Sequence, residues 1–301
     1  MPVAQRFGAR SMAANVHKRP RPEGCGADDV DGGVPAGYAR ITEGSATMLY
    51  EERGADTKSR GTDASDGPVF YNKVQVFNRD LSVVVLGLFA QWRYVERTER
   101  AARKAAAKAG GDGAAAAAAE RKRLYALSAA ELDALVEASP DRMRILDALA
   151  ATGLRSIRYA KEVRGVGEVV ANDVDGSATD ACAANVARNG AAGRCTAHNG
   201  DAVAYMINHR ADAKDRGGFD VIDLDPYGSC APFIDAAVQS VADGGLLCVT
   251  STDMPVLSGN YPEVCYAKYG SMPTKAKHLH EFALRVVVRR PRAATHTSPV
   301  P

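Results

Sequence analysis

Arg144-Ile145-Leu146-Asp147-Ala148-Leu149, followed by Ala151-Thr152-Gly153-Leu154-Arg155, is the stretch on which the fold turns. A short, almost continuous apolar run reads as a strand buried on both faces. The small residues after it make a tight turn, and Ser156 to Ala160 continue as a helix. The same unit then repeats. Glu168 to Asp173 reads as a second strand and Ala178 to Asn189 as a helix closed by Gly190. Cys195 to His198, Phe219 to Leu224 and Gly245 to Thr250 read as the third, fourth and fifth strands. Strands alternating with helices predict an α/β, Rossmann-like parallel sheet with helices on both faces. Right-handed crossovers then put any ligand crevice at the carboxyl ends of the strands.

Toward the N-terminus, Ser128-Ala129-Ala130-Glu131 is a capping box. Residues 96–123 alternate Arg, Lys and Ala, break at Gly110-Gly111-Asp112-Gly113 and resume with six alanines. This predicts a low-complexity insertion, two helical arms with a flexible middle, serving either as a basic RNA contact or as a solvated tether. Residues 36–95 read as the N-terminal part of the folded module, with Asn78-Arg79-Asp80 set to cap a helix over the apolar run Leu81 to Trp92. Residues 1–35, rich in Gly, Pro and charge, are expected to be disordered. No acid precedes Glu23, and Lys18-Arg19-Pro20-Arg21 is a short basic run. A nuclear address is the expectation, a mitochondrial or other organellar one the alternative, and a tail without an address a third reading.

Composition is that of a globular protein: 301 residues, 46% hydrophobic and 25% charged. A net charge of +2 means that a nucleic-acid partner is met by local patches. The six cysteines form no Cys-x-x-Cys pair and no zinc spacing, and read as reduced core thiols of an intracellular protein. No apolar run reaches the roughly 18 residues of a membrane span. No metal site, membrane partner or oligomer is expected.

Four signals fall at the strand ends. Ala151 to Arg155, with Gly153 at the turn, reads either as a structural turn or as a loop admitting a ligand at a helix N-terminus. Asp173 closes the second strand, where an acid accepts both ribose hydroxyls of a nucleoside cofactor or caps a helix. Asp201-Ala202 follows the third strand, where Asp201 accepts from an adenine amine or starts a helix. The fourth signal, Asp223-Leu224-Asp225-Pro226-Tyr227-Gly228, is the sharpest. Asp225 is a hydrogen-bond acceptor for a planar amine, the Pro226 carbonyl a second one, and Tyr227 a surface for stacking a base.

With these residues go Ile41-Thr42-Glu43-Gly44, Val69-Phe70-Tyr71-Asn72, Phe77-Asn78-Arg79-Asp80-Leu81-Ser82, Ala151 to Ala160, Thr250-Ser251-Thr252-Asp253-Met254, Tyr269-Gly270 and His280 to Arg285. Together they cover residues 38–285 and resemble the tRNA guanine-N2 dimethyltransferase family. The resemblance implies a class I methyltransferase core over residues 124–285 that uses S-adenosyl-L-methionine to methylate the N2 amine of a guanine in tRNA. It assigns Arg79 and Arg155 to the cofactor's methionine end, Gly153 to its loop, Asp173 to its ribose and Asp201 with Ala202 to its adenine. Asp225, Pro226 and Tyr227 become the catalytic residues. Residues 286–301 diverge from the family, so a C-terminally truncated fold is expected, with at most one short strand at Val286-Val287-Val288 before Arg289-Arg290-Pro291. Such a chain is expected to be a defective enzyme, poorly soluble, with residual cofactor binding at best and no methylation of tRNA. Two rivals remain: an amino-methyltransferase acting on another planar amine, and a non-catalytic tRNA- or cofactor-binding protein. A nicotinamide dehydrogenase is disfavoured, because the G-x-G-x-x-G spacing is absent.

Overall fold

The computed structural model describes residues 34, 37–51, 71–210 and 218–296. Residues 1–33, Lys18 to Arg21, Cys25 and Val69-Phe70 lie outside the described residues. Two antiparallel strands, β1 (Tyr38–Glu43) and β2 (Ala46–Glu51), form a separate hairpin. The main sheet contains β3 (Met143–Asp147), β4 (Val166–Asp173), β5 (Cys195–Asn199), β6 (Phe219–Leu224) and β7 (Val241–Val249). Its order is β5-β4-β3-β6-β7 and every neighbouring pair is parallel. The order reverses between β3 and β6, which fixes the crevice at their carboxyl ends.

Alternation along the strands feeds two cores. On one face Ile145, Val169, Ala171 and Val221 pack with Ile157 and Tyr159 of α4 (Leu154–Glu162), Cys182 and Val186 of α5 (Gly176–Arg188), and Leu86 and Ala90 of α1 (Val76–Lys108). On the other, Leu146, Val170, Ile222 and Leu224 meet Met206 of α6 (Ala202–Asn208) and Ile234 and Ala237 of α7 (Ala231–Ser240). The described cysteines are free, as read from the sequence.

Three elements differ from the sequence reading. Asn78-Arg79-Asp80 caps nothing: Asn72 caps the 3-10 turn Lys73–Gln75 through Val74 N at 2.9 Å, and α1 is already running at Val76. Residues 96–123 have no loose middle. Helix α1 runs on to Lys108, Gly111 N bonds back to Ala106 O at 2.9 Å, and Asp112 caps α2 (Gly113–Tyr125). The two helices lie antiparallel, joined by paired bonds from Arg121 to Glu99 at 2.6 Å. Alanine-rich helix propensity and the buried Val95, Leu124 and Leu132 explain the order. The capping box at Ser128 opens α3 (Ala129–Ala138) as the sequence predicts. Beyond β7 come α8 (Met254–Leu257), α9 (Pro262–Tyr269) and α10 (Leu279–His296). Val286 to Val288 therefore form no strand. Phe282, Ala283, Val286 and Val287 sit at helical spacing and pack on the α7 side of the sheet, and that period outweighs the β-preference of three valines.

Among the groups that tie the hairpin to the sheet domain is one buried carboxylate, beside the Asn185 and Asn189 side chains that bond the Leu49 and Thr47 backbone. Glu43 accepts Nε of Arg79 at 2.7 Å, a second Arg79 donor, Arg158 Nη1 at 2.8 Å and the Tyr71 hydroxyl at 3.1 Å. Burial alone would raise the Glu43 carboxyl, but Arg79, Arg158 and Tyr71 together hold it below the usual carboxylate range. Gly44, in the left-handed region at φ 55°, lets the turn pass Glu162, which a Cβ there would meet at 2.3 Å. Replacing Glu43 by Gln leaves the buried Arg79 guanidinium without its anion, while Arg158 keeps Asp80 and Glu162. We expect a loss of about 3–5 kcal/mol in urea unfolding; a loss under about 1 kcal/mol would show that the network does not hold the hairpin in place.

Candidate active site at the carboxyl ends of β3, β4 and β6

The four sequence signals converge on one end of the sheet, because the five strands are parallel and each signal follows a strand. The turn after β3 is strained. Ala151 has φ 50° although it carries a Cβ, and Gly153 has φ 81° as the residue before α4. A Cβ on Gly153 would lie 2.4 Å from Cys182 Sγ, so glycine is required twice over. Asp173, at the end of β4, holds this turn. Its Oδ2 accepts Ala151 N at 2.8 Å and its Oδ1 accepts Asp175 N at 2.9 Å. The turn and its acid are thus one unit. Asp201 serves as N-cap of α6, accepting Ala204 N at 2.7 Å, and Ala202 is buried behind it. Buried Asn172 joins the loops, donating to Ala148 O at 3.0 Å and Gly200 O at 3.1 Å.

Asp225 lies just past β6. Its Oδ2 accepts Arg155 Nη2 at 2.7 Å. Pro226 is buried, and Tyr227 is 78% exposed. Arg155 also reaches Ser82 at 3.0 Å, Tyr159 at 3.4 Å and Asp223 at 3.4 Å. Burial works against its charge, but Asp223, Tyr159 and Asp225 keep the guanidinium firmly protonated. Arg79 sits on the first turns of α1, held by Glu43. The two arginines assigned to a cofactor's methionine end are therefore each oriented by carboxylates of this chain.

The sequence reading gave no role to Asp147, Asp223, Tyr159, Ser82 or Asn172. Asp147 and Asp223 are register partners on β3 and β6 and are almost wholly buried. Asp147 accepts the Ser156 hydroxyl at 2.6 Å through Oδ2, while its Oδ1 is buried without a partner. The readable signal was an acid ending each of two strands that are otherwise apolar. Burial, then the charge of Asp223, push the Asp147 carboxyl up to about 7. Tyr159, raised well above its ordinary value by burial and then by Asp223, stays a donor to Asp223. The described residues hold no group of three His, Cys, Asp or Glu able to bind a metal ion.

The order of the sheet, reversing between β3 and β6, defines a doubly wound α/β domain. Comparison with known proteins sharpens that class. The family model "N2,N2-dimethylguanosine tRNA methyltransferase" matches residues 50–296. The tRNA (guanine(26)-N(2))-dimethyltransferase of Drosophila melanogaster is 41% identical over 257 residues, covering 82% of this chain and 40% of that protein. The Mus musculus enzyme of the same name is 42% identical over 257 residues, covering 83% of this chain and 36% of its own length. Among solved structures, Trm1 from Pyrococcus horikoshii in complex with S-adenosyl-L-methionine superposes with a TM-score of 0.59 at 25% identity, over 85% of this chain and 54% of that one. The chain belongs to the N2,N2-dimethylguanosine tRNA methyltransferase family and has the Rossmann-like fold of its class I methyltransferases. It spans about two fifths of the length of these curated relatives.

The buried carboxyls make a pH prediction. The folded-state value of Asp147, about 7, lies above its ordinary 3.8. The fold therefore holds the proton more tightly than the unfolded chain, and stability falls as pH rises from about 4 to 7. Asp147→Asn, which removes the buried charge, is expected to melt higher than wild type at pH 8, with the gap closing toward pH 4. A variant that melts lower at pH 8, by calorimetry, would mean that ionised Asp147 is satisfied in the fold.

Proposed function

We propose that this domain transfers a methyl group from S-adenosylmethionine to the exocyclic N2 amine of a guanine in tRNA. The observation that supports it most is the bond from Arg155, on the helix that follows the Asp173-held turn after β3, to Asp225 at the end of β6. An acceptor for a planar amine thus adjoins an acceptor for a ribose. The residues suit the cofactor: a turn at a helix N-terminus, an acid at the end of β4, and a buried carboxyl oxygen, Asp147 Oδ1, that lacks a partner among the described residues. The cofactor, when bound, supplies an electrophilic methyl.

Each residue then has a task. Asp173 accepts the ribose hydroxyls, and Asp201 with Ala202 borders the adenine. Arg79 and Arg155 border the methionine end. The guanine amine is a poor nucleophile, because its lone pair is delocalised into the ring. Asp225 and the Pro226 carbonyl hold its two hydrogens and bias it toward tetrahedral geometry, and Asp225 is the acceptor for the proton that the amine loses. Tyr227 stacks on the base, which has to leave its own stack at a cost of about a few kcal/mol.

Two measurements test this. Asp173→Ala removes up to two ribose hydrogen bonds and loosens the turn, so S-adenosylmethionine should bind about ten- to a hundredfold more weakly by calorimetry. An unchanged affinity would remove Asp173 from the site. In a chain extended to the length of its relatives, Asp225→Ala should abolish methylation of unmodified tRNA while sparing cofactor binding. Turnover within about threefold of wild type would refute the catalytic role, and mass analysis finding methyl-adenine or methyl-cytosine instead would redirect the substrate assignment.

A further inference from the structure

An arginine and a carboxylate left to themselves commonly close into two parallel N–H···O bonds. Arg155 and Asp225 do not. One bond joins them, Nη2 to Oδ2 at 2.7 Å, and Oδ1 of Asp225 has no partner among the described residues. The cause is the other amino group of the guanidinium. Nη1 is turned toward Ser82 Oγ at 3.0 Å, Tyr159 Oη at 3.4 Å and Asp223 Oδ2 at 3.4 Å. Asp223 also accepts the Tyr159 hydroxyl, so acid, phenol and guanidinium form a closed triangle. The Asp223 side chain is 1% exposed against 27% for Asp225. It lies beneath Asp225, two residues earlier on the same strand end, where no substrate reaches it.

We propose that Asp223 is a positioning residue. With Tyr159 and Ser82 it holds Nη1 of Arg155, so that the guanidinium grips one oxygen of Asp225 and the other stays open to the substrate amine. The proposal rests on the methyl-transfer reading of Asp225 and adds something that reading does not require: the acceptor capacity of Asp225 depends on a second carboxylate that touches no substrate. With residue 223 neutral, Nη1 loses its anion, and the favoured arrangement of Arg155 is the two-bond pair with Asp225. Both oxygens of Asp225 are then engaged.

Crystal structures of the 301-residue chain and of its Asp223→Asn variant test this without turnover. The expected result is Nη1 released from residue 223 and both Asp225 oxygens within hydrogen-bond distance of the guanidinium. Arg155 and Asp225 placed as in wild type would overturn it. In a chain with measurable turnover, Asp223→Asn should lower kcat about ten- to a hundredfold, leave the cofactor KM within about threefold, and add nothing to the loss caused by Asp225→Asn. Losses that multiply in the double variant would show that Asp223 acts independently of Asp225 and overturn the proposal. Should Asp223→Asn not fold, Tyr159→Phe removes the two sides of the triangle that its hydroxyl makes, to Arg155 and to Asp223. It should lower kcat about three- to tenfold at near-normal melting temperature, and full activity in it would count against the triangle. Full turnover in Asp225→Ala would instead remove the methyl-transfer reading and leave the crystallographic result intact.

Discussion

The Arg155 guanidinium, buried between Asp223 on one side and Asp225 on the other, is the interaction on which the site depends. It is the only cation hydrogen-bonded to these carboxylates among the described residues. Three carboxyl groups, Asp147, Asp223 and Asp225, gather where two central strands end. In a low-dielectric interior such a group is tolerated only if charge is matched or a proton is retained. Arg155 matches part of it, and burial with mutual repulsion drives Asp147 toward its neutral form.

The position of Arg155 is itself secured from several directions. Helix α4 can start only after a turn whose glycine cannot carry a side chain, and Asp173 holds that turn through Ala151 N. Ser82 reaches Arg155 from α1, and α1 is anchored at its start by Arg79 on Glu43. Glu43 also accepts Arg158, one turn beyond Arg155 on α4. The small hairpin, the long helix and the sheet domain are therefore coupled through a chain of charge-assisted hydrogen bonds that begins at β1 and ends at Asp225.

Much of this was legible in the sequence. Five apolar runs with intervening helical segments defined the parallel sheet, and the turn and acid signals gave the end at which the crevice lies. Ser128 and Glu131 marked a helix start correctly because a capping box is a local interaction. What was not legible depended on distance along the chain. The pairing of Glu43 with Arg158, 115 positions apart, has no local signature. Asp223 was visible only as a neighbour of Asp225, since its role comes from Arg155 and Tyr159 on another element. Val286 to Val288 carry the β-preference of three β-branched residues, but the helical spacing of Phe282, Ala283, Val286 and Val287 against the core decides for a helix. Asn78 and Asp80 looked like caps, but the true cap, Asn72, lies one 3-10 turn earlier.

The measurement that tests the central claim most directly is a crystal structure of the chain soaked with S-adenosylmethionine. The account predicts density for the ribose on the Asp173 carboxylate and for the methyl-bearing sulfur facing the open Oδ1 of Asp225. Cofactor density at any other edge of the sheet, or a methyl group turned away from Asp225, would contradict it.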